Sequence, residues 1–260
     1  MRYANFSLFF FGFVQKKWKT GHCIKKKSYI CMVNNAGMML LKRFLTVLFS
    51  IVASVGLHAQ GHYTFDEGQL GPEWRFLGRP DSASYRFVGG KLRLRGSIYD
   101  LHENRGGTFA ALEAIADTFT VDTKLTLFDA DNGDEAGLCA YGSPQCFVQC
   151  CLNNYVGSRR LKVRLQLLSH RLLLADRSVG TLSDVWLRIR STREKLKFFY
   201  SVDGKRYHWL EDVERRLLAP DITGSDSPML VGMYAYMGST KYQSGFIFGD
   251  FDFFDFTTHP

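Results

Sequence analysis

The chain has 260 residues, with 33 Lys and Arg against 25 Asp and Glu, a formal net charge of +8. Nine of the basic residues and none of the acidic ones fall in residues 1–60, which leaves 24 against 25, a net of −1, in 61–260. A folded body near neutrality lacks the concentrated positive field of a nucleic-acid binder, and 46% hydrophobic residues exclude intrinsic disorder.

In chain order, Lys42-Arg43 precede an uncharged apolar run from Phe44 to Leu57, then His58-Ala59-Gln60. A basic flank, a short apolar stretch and a small residue before the cut predict a secretory signal peptide over 38–59, cleaved after Ala59. The run is short of the ~20 residues of a membrane span. Residues 1–37, with Lys25-Lys26-Lys27, are then an upstream extension with no folded role, and 60–260 form one domain, periplasmic or extracellular.

Period-two alternation dominates that domain. Leu92–Arg95, Leu125–Leu127, Leu161–Leu167, Leu187–Arg190 and Leu196–Phe198 each place apolar residues on one face and polar ones on the other. Turn residues separate the runs: Gly89-Gly90, Asn132-Gly133, Gly157-Ser158 and Asp203-Gly204. The last predicts a two-residue hairpin between Lys195–Val202 and Arg206–Leu210, since a type I′ turn needs positive φ at both central positions. Only Asp212–Leu218 reads as a helical turn. Met229–Tyr236 and Phe246–Phe256 carry large apolar residues on both faces, as central covered strands do. Many short strands predict an all-β sandwich or barrel.

Cys139, Cys146, Cys150 and Cys151 lie around a turn at Ser143-Pro144-Gln145. A disulfide from Cys139 to Cys150 or Cys151 fits a hairpin there, and so do four buried thiols; spacing does not fix the pairing. Cys150 and Cys151 alternate faces, and no zinc-type spacing is present.

Six blocks carry a resemblance: Thr64-Phe65-Asp66, Trp74 through Pro80, Lys91 through Gly96, Asp134-Glu135-Ala136-Gly137-Leu138, Phe198 through Gly204, and Phe251 through Phe256. In order and spacing they resemble the concanavalin A-like C-terminal domain of glycoside hydrolase family 43 β-xylosidases. The resemblance implies an antiparallel two-sheet jelly-roll sandwich. It also implies that in complete members this sandwich packs on a five-bladed propeller, where two Asp and a Glu hydrolyse xylosides or arabinosides with inversion. Five blades need over two hundred residues at ~40–50 each, so the catalytic half is expected to be missing.

Glycoside hydrolysis by the sandwich itself would need two opposed carboxyl groups. Asp129, Asp131, Asp134 and Glu135 read as a solvated loop. Asp250 and Asp252 share one strand face and Asp255 points to the other. With Asp66 the first two offer oxygen ligands for a calcium ion, against the plainer reading of charges guarding a strand edge. His102, His170 and His208 read as isolated surface residues, and no nucleophile elbow or phosphate loop occurs. Aromatic platforms for sugar rings are sought at Tyr141, Phe147, Tyr155, Trp186 and Trp209. Trp74 reads as structural. The phase of Val185, Leu187 and Ile189 puts Trp186 on the opposite face, with Arg188 and Arg190. The hairpin at Pro144 is the region placed nearest a catalytic partner. The expected function is a secreted, non-catalytic sandwich that binds plant-type polysaccharide or xylo-oligosaccharide; the alternative is a hydrolase subunit working with a separate family 43 propeller. Neither nucleic acid nor a membrane span is expected, and calcium is the one candidate cofactor.

Overall fold

The computed structural model describes residues 60–77, 83–103, 108–128, 130–238 and 246–260. The expected signal peptide, the upstream extension, Gly78-Arg79-Pro80 and Asp129 lie outside them.

Among the described residues there are fifteen strands: β1 Gln60–Thr64, β2 Arg75–Phe76, β3 Tyr85–Val88, β4 Lys91–Arg95, β5 Thr108–Glu113, β6 Phe119–Phe128, β7 Glu135–Ser143, β8 Cys146–Tyr155, β9 Ser158–Leu167, β10 His170–Ser178, β11 Asp184–Ser191, β12 Lys195–Ser201, β13 His208–Glu214, β14 Leu230–Tyr236 and β15 Phe248–Thr258. An eight-stranded sheet runs β13-β12-β11-β6-β15-β4-β3, with β1 added beside β15. A seven-stranded sheet runs β10-β9-β8-β7-β14-β5-β2. All strand pairs in both are antiparallel. This is the expected concanavalin A-like sandwich.

The alternation in the sequence builds the core. Leu92 and Leu94, Val121 and Leu125, Val185, Leu187 and Ile189, and Leu196 and Phe198 project from one sheet. Leu138 and Ala140, Val148, Cys150 and Leu152, Leu161 and Val163, and Val231 and Met233 meet them from the other. Each large side chain so buried is worth roughly 1.5–3 kcal/mol. Trp74 joins this core edge-on to Tyr63 and Phe254, a structural position as expected. The two strands with apolar residues on both faces, β14 and β15, lie centrally in their sheets.

Local details depart from the sequence expectations. Asp203-Gly204 does not make a two-residue hairpin: β12 ends at Ser201 and β13 begins at His208. The loop between is organised by the Asp203 carboxylate, which accepts hydrogen bonds from the Ser201 hydroxyl and the backbone N–H groups of Lys205 and Arg206 at 2.8–2.9 Å. Side-chain acceptance of this kind competes with the tight turn. Asp212–Leu218 is strand up to Glu214, followed by a 3₁₀ turn over Arg215–Leu218 and one helical turn over Pro220–Thr223. Among the described residues no helix is long and apolar enough to cross a membrane. All four described cysteines are buried and free. Cys139 pairs in register with Gln149, and Cys150 points into the core, so of the two readings the buried thiols hold and no hairpin disulfide forms among them.

A bulge in β15 between Phe251 and Phe254 shifts the strand phase by one residue. Phe251, Phe254 and Phe256 all reach the core. Asp255 therefore shares the outer face with Asp250, where strict alternation had separated them.

Candidate functional site

The outer face of the eight-stranded sheet is a lattice of cross-strand ion pairs. Arg93 grips Asp250 through two hydrogen bonds of 2.6 and 2.7 Å, and Arg188 grips Asp122 through two of 2.6 and 3.1 Å. Asp252 lies 2.8 Å from Lys91 and 3.1 Å from Lys124, and Asp255 bonds His62. The expected calcium set is thereby corrected. Asp250 and Asp252 are already neutralised by protein cations, and among the described residues no three His, Cys, Asp or Glu side chains, Asp66 included, gather as metal ligands. Trp186 does lie on this face, as its phase required. Lys124 stands 5.2 Å from its ring centroid, and the loop at Gly204 closes on it: a Cβ there would come within 2.9 Å of the indole. Trp209 at the sheet edge is 53% exposed, and its indole N–H donates to Asp212 at 2.8 Å.

The outer face of the seven-stranded sheet differs. Register aligns Gln166, Phe147, Tyr141 and Leu230 in one row across β9, β8, β7 and β14, and Arg164, Gln149, Cys139 and Gly232 in the next. Lys162, Cys151, Gly137 and Tyr234 form a third row, and Arg160, Asn153, Glu135 and Tyr236 a fourth. The middle of this face is closed. Phe109, Cys139, Tyr141, Phe147, Cys151 and Tyr234 form a second buried cluster, to which Leu101 from the 3₁₀ turn Leu101–Glu103 adds. Tyr141 and Phe147 stack at 5.7 Å and are 5% and 0% exposed, so neither offers a ring face to a sugar. Gly137 and Gly232 sit between these side chains, where a Cβ would fall 2.1 Å from the carbonyl oxygens of Cys150 and Ala110. Only glycine permits that approach.

Beside this cluster lies a polar network. Glu135, fully buried, accepts from the Tyr234 hydroxyl at 3.0 Å and from the Asn153 amide at 3.2 Å, and it pairs with Arg164. Arg164 also donates to the Cys151 sulfur at 3.2 Å. The Asn153 side-chain carbonyl in turn accepts from the Lys162 ammonium at 2.7 Å. Burial would lower the Arg164 pKa, but the Glu135 carboxylate outweighs it and leaves the guanidinium firmly charged. Burial, together with Cys151 and Glu135, raises the Tyr234 pKa, fixing the phenol as a donor. Burial and Glu135 push the Cys151 thiol up to about 11, against the pull of Arg164. A second buried carboxylate, Asp100, lies 2.6 Å from Arg171 and 3.4 Å from His102, so His102 is not isolated as expected. The expectation of a solvated acidic loop is corrected as well: Asp134 and Glu135 are buried.

At the end of this face the network reaches the surface. Tyr155, the last residue of β8, is 51% exposed, with the Lys162 ammonium 5.2 Å and the Arg160 guanidinium 6.0 Å from its ring centroid. The five sought platforms are thus dispersed. Tyr141 and Phe147 are covered, Tyr155 is open on the seven-stranded sheet, and Trp186 and Trp209 belong to the other sheet. Glu135, Arg164, Asn153 and Lys162 were missed as a group. Their one sequence signal is the alternation Arg160-x-Lys162-x-Arg164, which puts three cations on one strand face.

Residues 62–257 match the family described as the β-xylosidase C-terminal concanavalin A-like domain. The non-reducing end α-L-arabinofuranosidase BoGH43B of Bacteroides ovatus is 24% identical over 197 residues, covering 74% of this chain and 36% of that protein. Among solved structures, the glycoside hydrolase family 43 protein BlXynB of Bacillus licheniformis superposes with a TM-score of 0.70 at 24% identity, covering 76% of this chain and 39% of its own. A xylan β-1,4-xylosidase from Bacillus halodurans gives 0.66 at 21% identity, over 75% and 38%. The chain therefore spans little more than a third of the length of these relatives. The two-sheet sandwich and the family match over residues 62–257 agree: the chain belongs to the β-xylosidase C-terminal concanavalin A-like domain family.

Proposed function

We propose that the chain is an accessory β-sandwich of a glycoside hydrolase family 43 system acting on xylan- or arabinan-type polysaccharide. In this reading it meets glycan with the outer face of the seven-stranded sheet and leaves bond cleavage to a partner. The observation that carries it is the division of labour on that face. Its buried carboxylates, Glu135 and Asp100, are held by Arg164 and Arg171, which opposes a general acid or base role. The exposed aromatic Tyr155 meanwhile stands at its rim among hydrogen-bonding side chains. An aromatic surface with a few polar groups suits the apolar and hydroxylated sides of a sugar ring.

The test is native electrophoresis of the full chain in gels containing arabinoxylan, together with release of nitrophenol from aryl xyloside and aryl arabinofuranoside. Retardation without turnover is expected. Turnover by the chain alone, or unchanged mobility in every glycan, overturns the reading. The same proposal places the protein outside the cytoplasm, on the sequence pattern of 38–59; a mature N-terminus at Gln60 or Gly61 is expected, and a retained Met1 refutes it.

One observation favours a second role, docking on a separate catalytic propeller. Leu168, Leu172 and Leu173 are exposed around the β9–β10 turn. The Leu168 N–H bonds the Gln145 carbonyl at 2.7 Å, which ties that turn to the hairpin at Pro144. Such an apolar group at a sheet edge suits a protein partner. Co-elution with a family 43 propeller, abolished by Leu173→Asp, is the expected result; independent elution refutes it.

A further inference from the structure

We propose that Tyr155, Lys162 and Arg160 form a subsite for a carboxylate-bearing sugar, a uronate substituent on the glycan backbone. The inference rests on the reading that this face meets glycan. It begins with the β8–β9 turn. Val156 holds φ at +49° and Gly157 at +73°, the left-handed pair of a two-residue hairpin turn. Gly157 suits that conformation; Val156 does not, because its β-branch crowds the backbone there. The strain is held by the neighbouring loop: the Asn132 side-chain oxygen accepts the Val156 N–H at 3.0 Å, and the Asn154 amide donates to the Ala130 carbonyl at 2.6 Å. The valine side chain is nevertheless 73% exposed and contributes no burial in return. Backbone strain maintained without a packing gain is a mark of a functional position. Here it leaves an exposed apolar residue directly after the exposed Tyr155 in the chain, the pair that would form the ledge of the subsite.

The cations define what the ledge accepts. Arg160 is partly neutralised by Asp176 at 2.6 Å. Lys162 stands opposite Asp176 in the β9–β10 register but makes no ion pair with it: its ammonium is held by the neutral Asn153 oxygen, and among the described residues no carboxylate lies within ion-pair reach of it. Asn153 is itself fixed, donating to the Gly133 carbonyl at 3.0 Å and to Glu135. The buried network therefore sets the position of a charge at the surface beside an aromatic ring, and an ammonium with three donors has two left for a ligand. A sugar resting its CH face on Tyr155 and Val156 would present a ring carboxylate to Lys162 and Arg160. A neutral pentose offers that pair nothing equivalent.

Calorimetric titration of the full chain with a neutral xylo-oligosaccharide and with the same oligosaccharide bearing one glucuronic acid tests this. The acidic ligand is expected to bind about tenfold tighter or better, the worth of one charge-assisted hydrogen bond, with the advantage shrinking at high salt. Lys162→Met is expected to abolish the preference, and Lys162→Arg to retain it. Tyr155→Ala is expected to weaken both ligands. Equal affinity for the two ligands, or a preference that survives Lys162→Met, overturns the uronate subsite while leaving glycan binding standing. Failure of both ligands to bind overturns the subsite and glycan binding together.

Discussion

Removing the Arg164 guanidinium is the sharpest perturbation of the buried network. Glu135 is 0% exposed and the Arg164 side chain 15%, so the pair is screened little by water. Arg164→Met keeps much of the aliphatic stem and strips the charge, leaving a carboxylate in the sheet with only Tyr234 and Asn153 as donors. Breaking one partner of a buried pair costs about 3–5 kcal/mol. For a domain of this size each kcal/mol is worth roughly 2–4 °C in Tm, so the variant should melt about 6–20 °C below wild type. With a urea m-value of ~2 kcal/mol/M, the unfolding midpoint should fall by about 1.5–2.5 M. The double variant Glu135→Gln/Arg164→Met supplies the decisive comparison. It removes both charges yet leaves an amide that Tyr234 and Asn153 can still bond, so it should lose only ~1 kcal/mol and recover most of the single-variant loss. A single variant within ~1 kcal/mol of wild type, or a double variant whose loss equals the sum of its parts, would refute the account of Glu135 and Arg164 as a coupled, desolvated pair.

Three further outcomes follow from the geometry. Val156→Asn places a residue tolerant of left-handed φ in the β8–β9 turn and should raise stability by about 1 kcal/mol, read as a higher Tm, while weakening glycan binding through loss of the apolar ledge; an unchanged or lower Tm would deny the strain. Gly232→Ala drives a methyl into the backbone of β5 and should cost at least 1–3 kcal/mol in urea unfolding, with soluble expression lost at the upper end; a wild-type midpoint would contradict the close approach. Asp203 is held below the usual carboxylate range by the N–H groups of Arg206 and Lys205 and by the Ser201 hydroxyl. Its stabilising effect is complete above the unfolded value near ~3.9 and is lost as pH falls through the folded value. The Tm gap between wild type and Asp203→Ala should therefore be steady from about pH 5 to 8 and close below about pH 4; a gap that widens on acidification would reverse the sign.

The fold was legible because alternation is a local signal: Leu161 through Leu167 and Leu187 through Arg190 mark their buried faces without reference to any neighbour. The family blocks then supplied the arrangement of strands, which periodicity alone does not. What escaped were consequences of register and phase. Glu135 looks like one more acid in a polar turn until β7 is paired with β8 and β14, which brings Asn153 and Tyr234 to it. Tyr141 and Phe147 read as accessible aromatics because nothing local announces that they join Leu101, Phe109 and Tyr234 in a buried cluster. The orientation of Asp255 depended on a single extra residue in β15, and the shape of the 202–207 loop on the competition of one carboxylate for three hydrogens. The calcium set failed for a similar reason: its carboxylates were visible in the sequence, whereas Arg93, Lys91 and Lys124 reach them only through strand pairing.

The central position of β14 and β15 bears on how the chain is made. Both are the last strands of their sheets to leave the ribosome, yet β15 joins β6 to β4 and β14 joins β7 to β5. Until they emerge, each half-sheet exposes an unpaired inner edge across which its ladder cannot close. Folding of either layer must therefore wait until these strands have emerged. The nascent polypeptide carries a long stretch of adhesive, open-edged hairpins in the meantime, a state that favours chaperone capture and slow maturation.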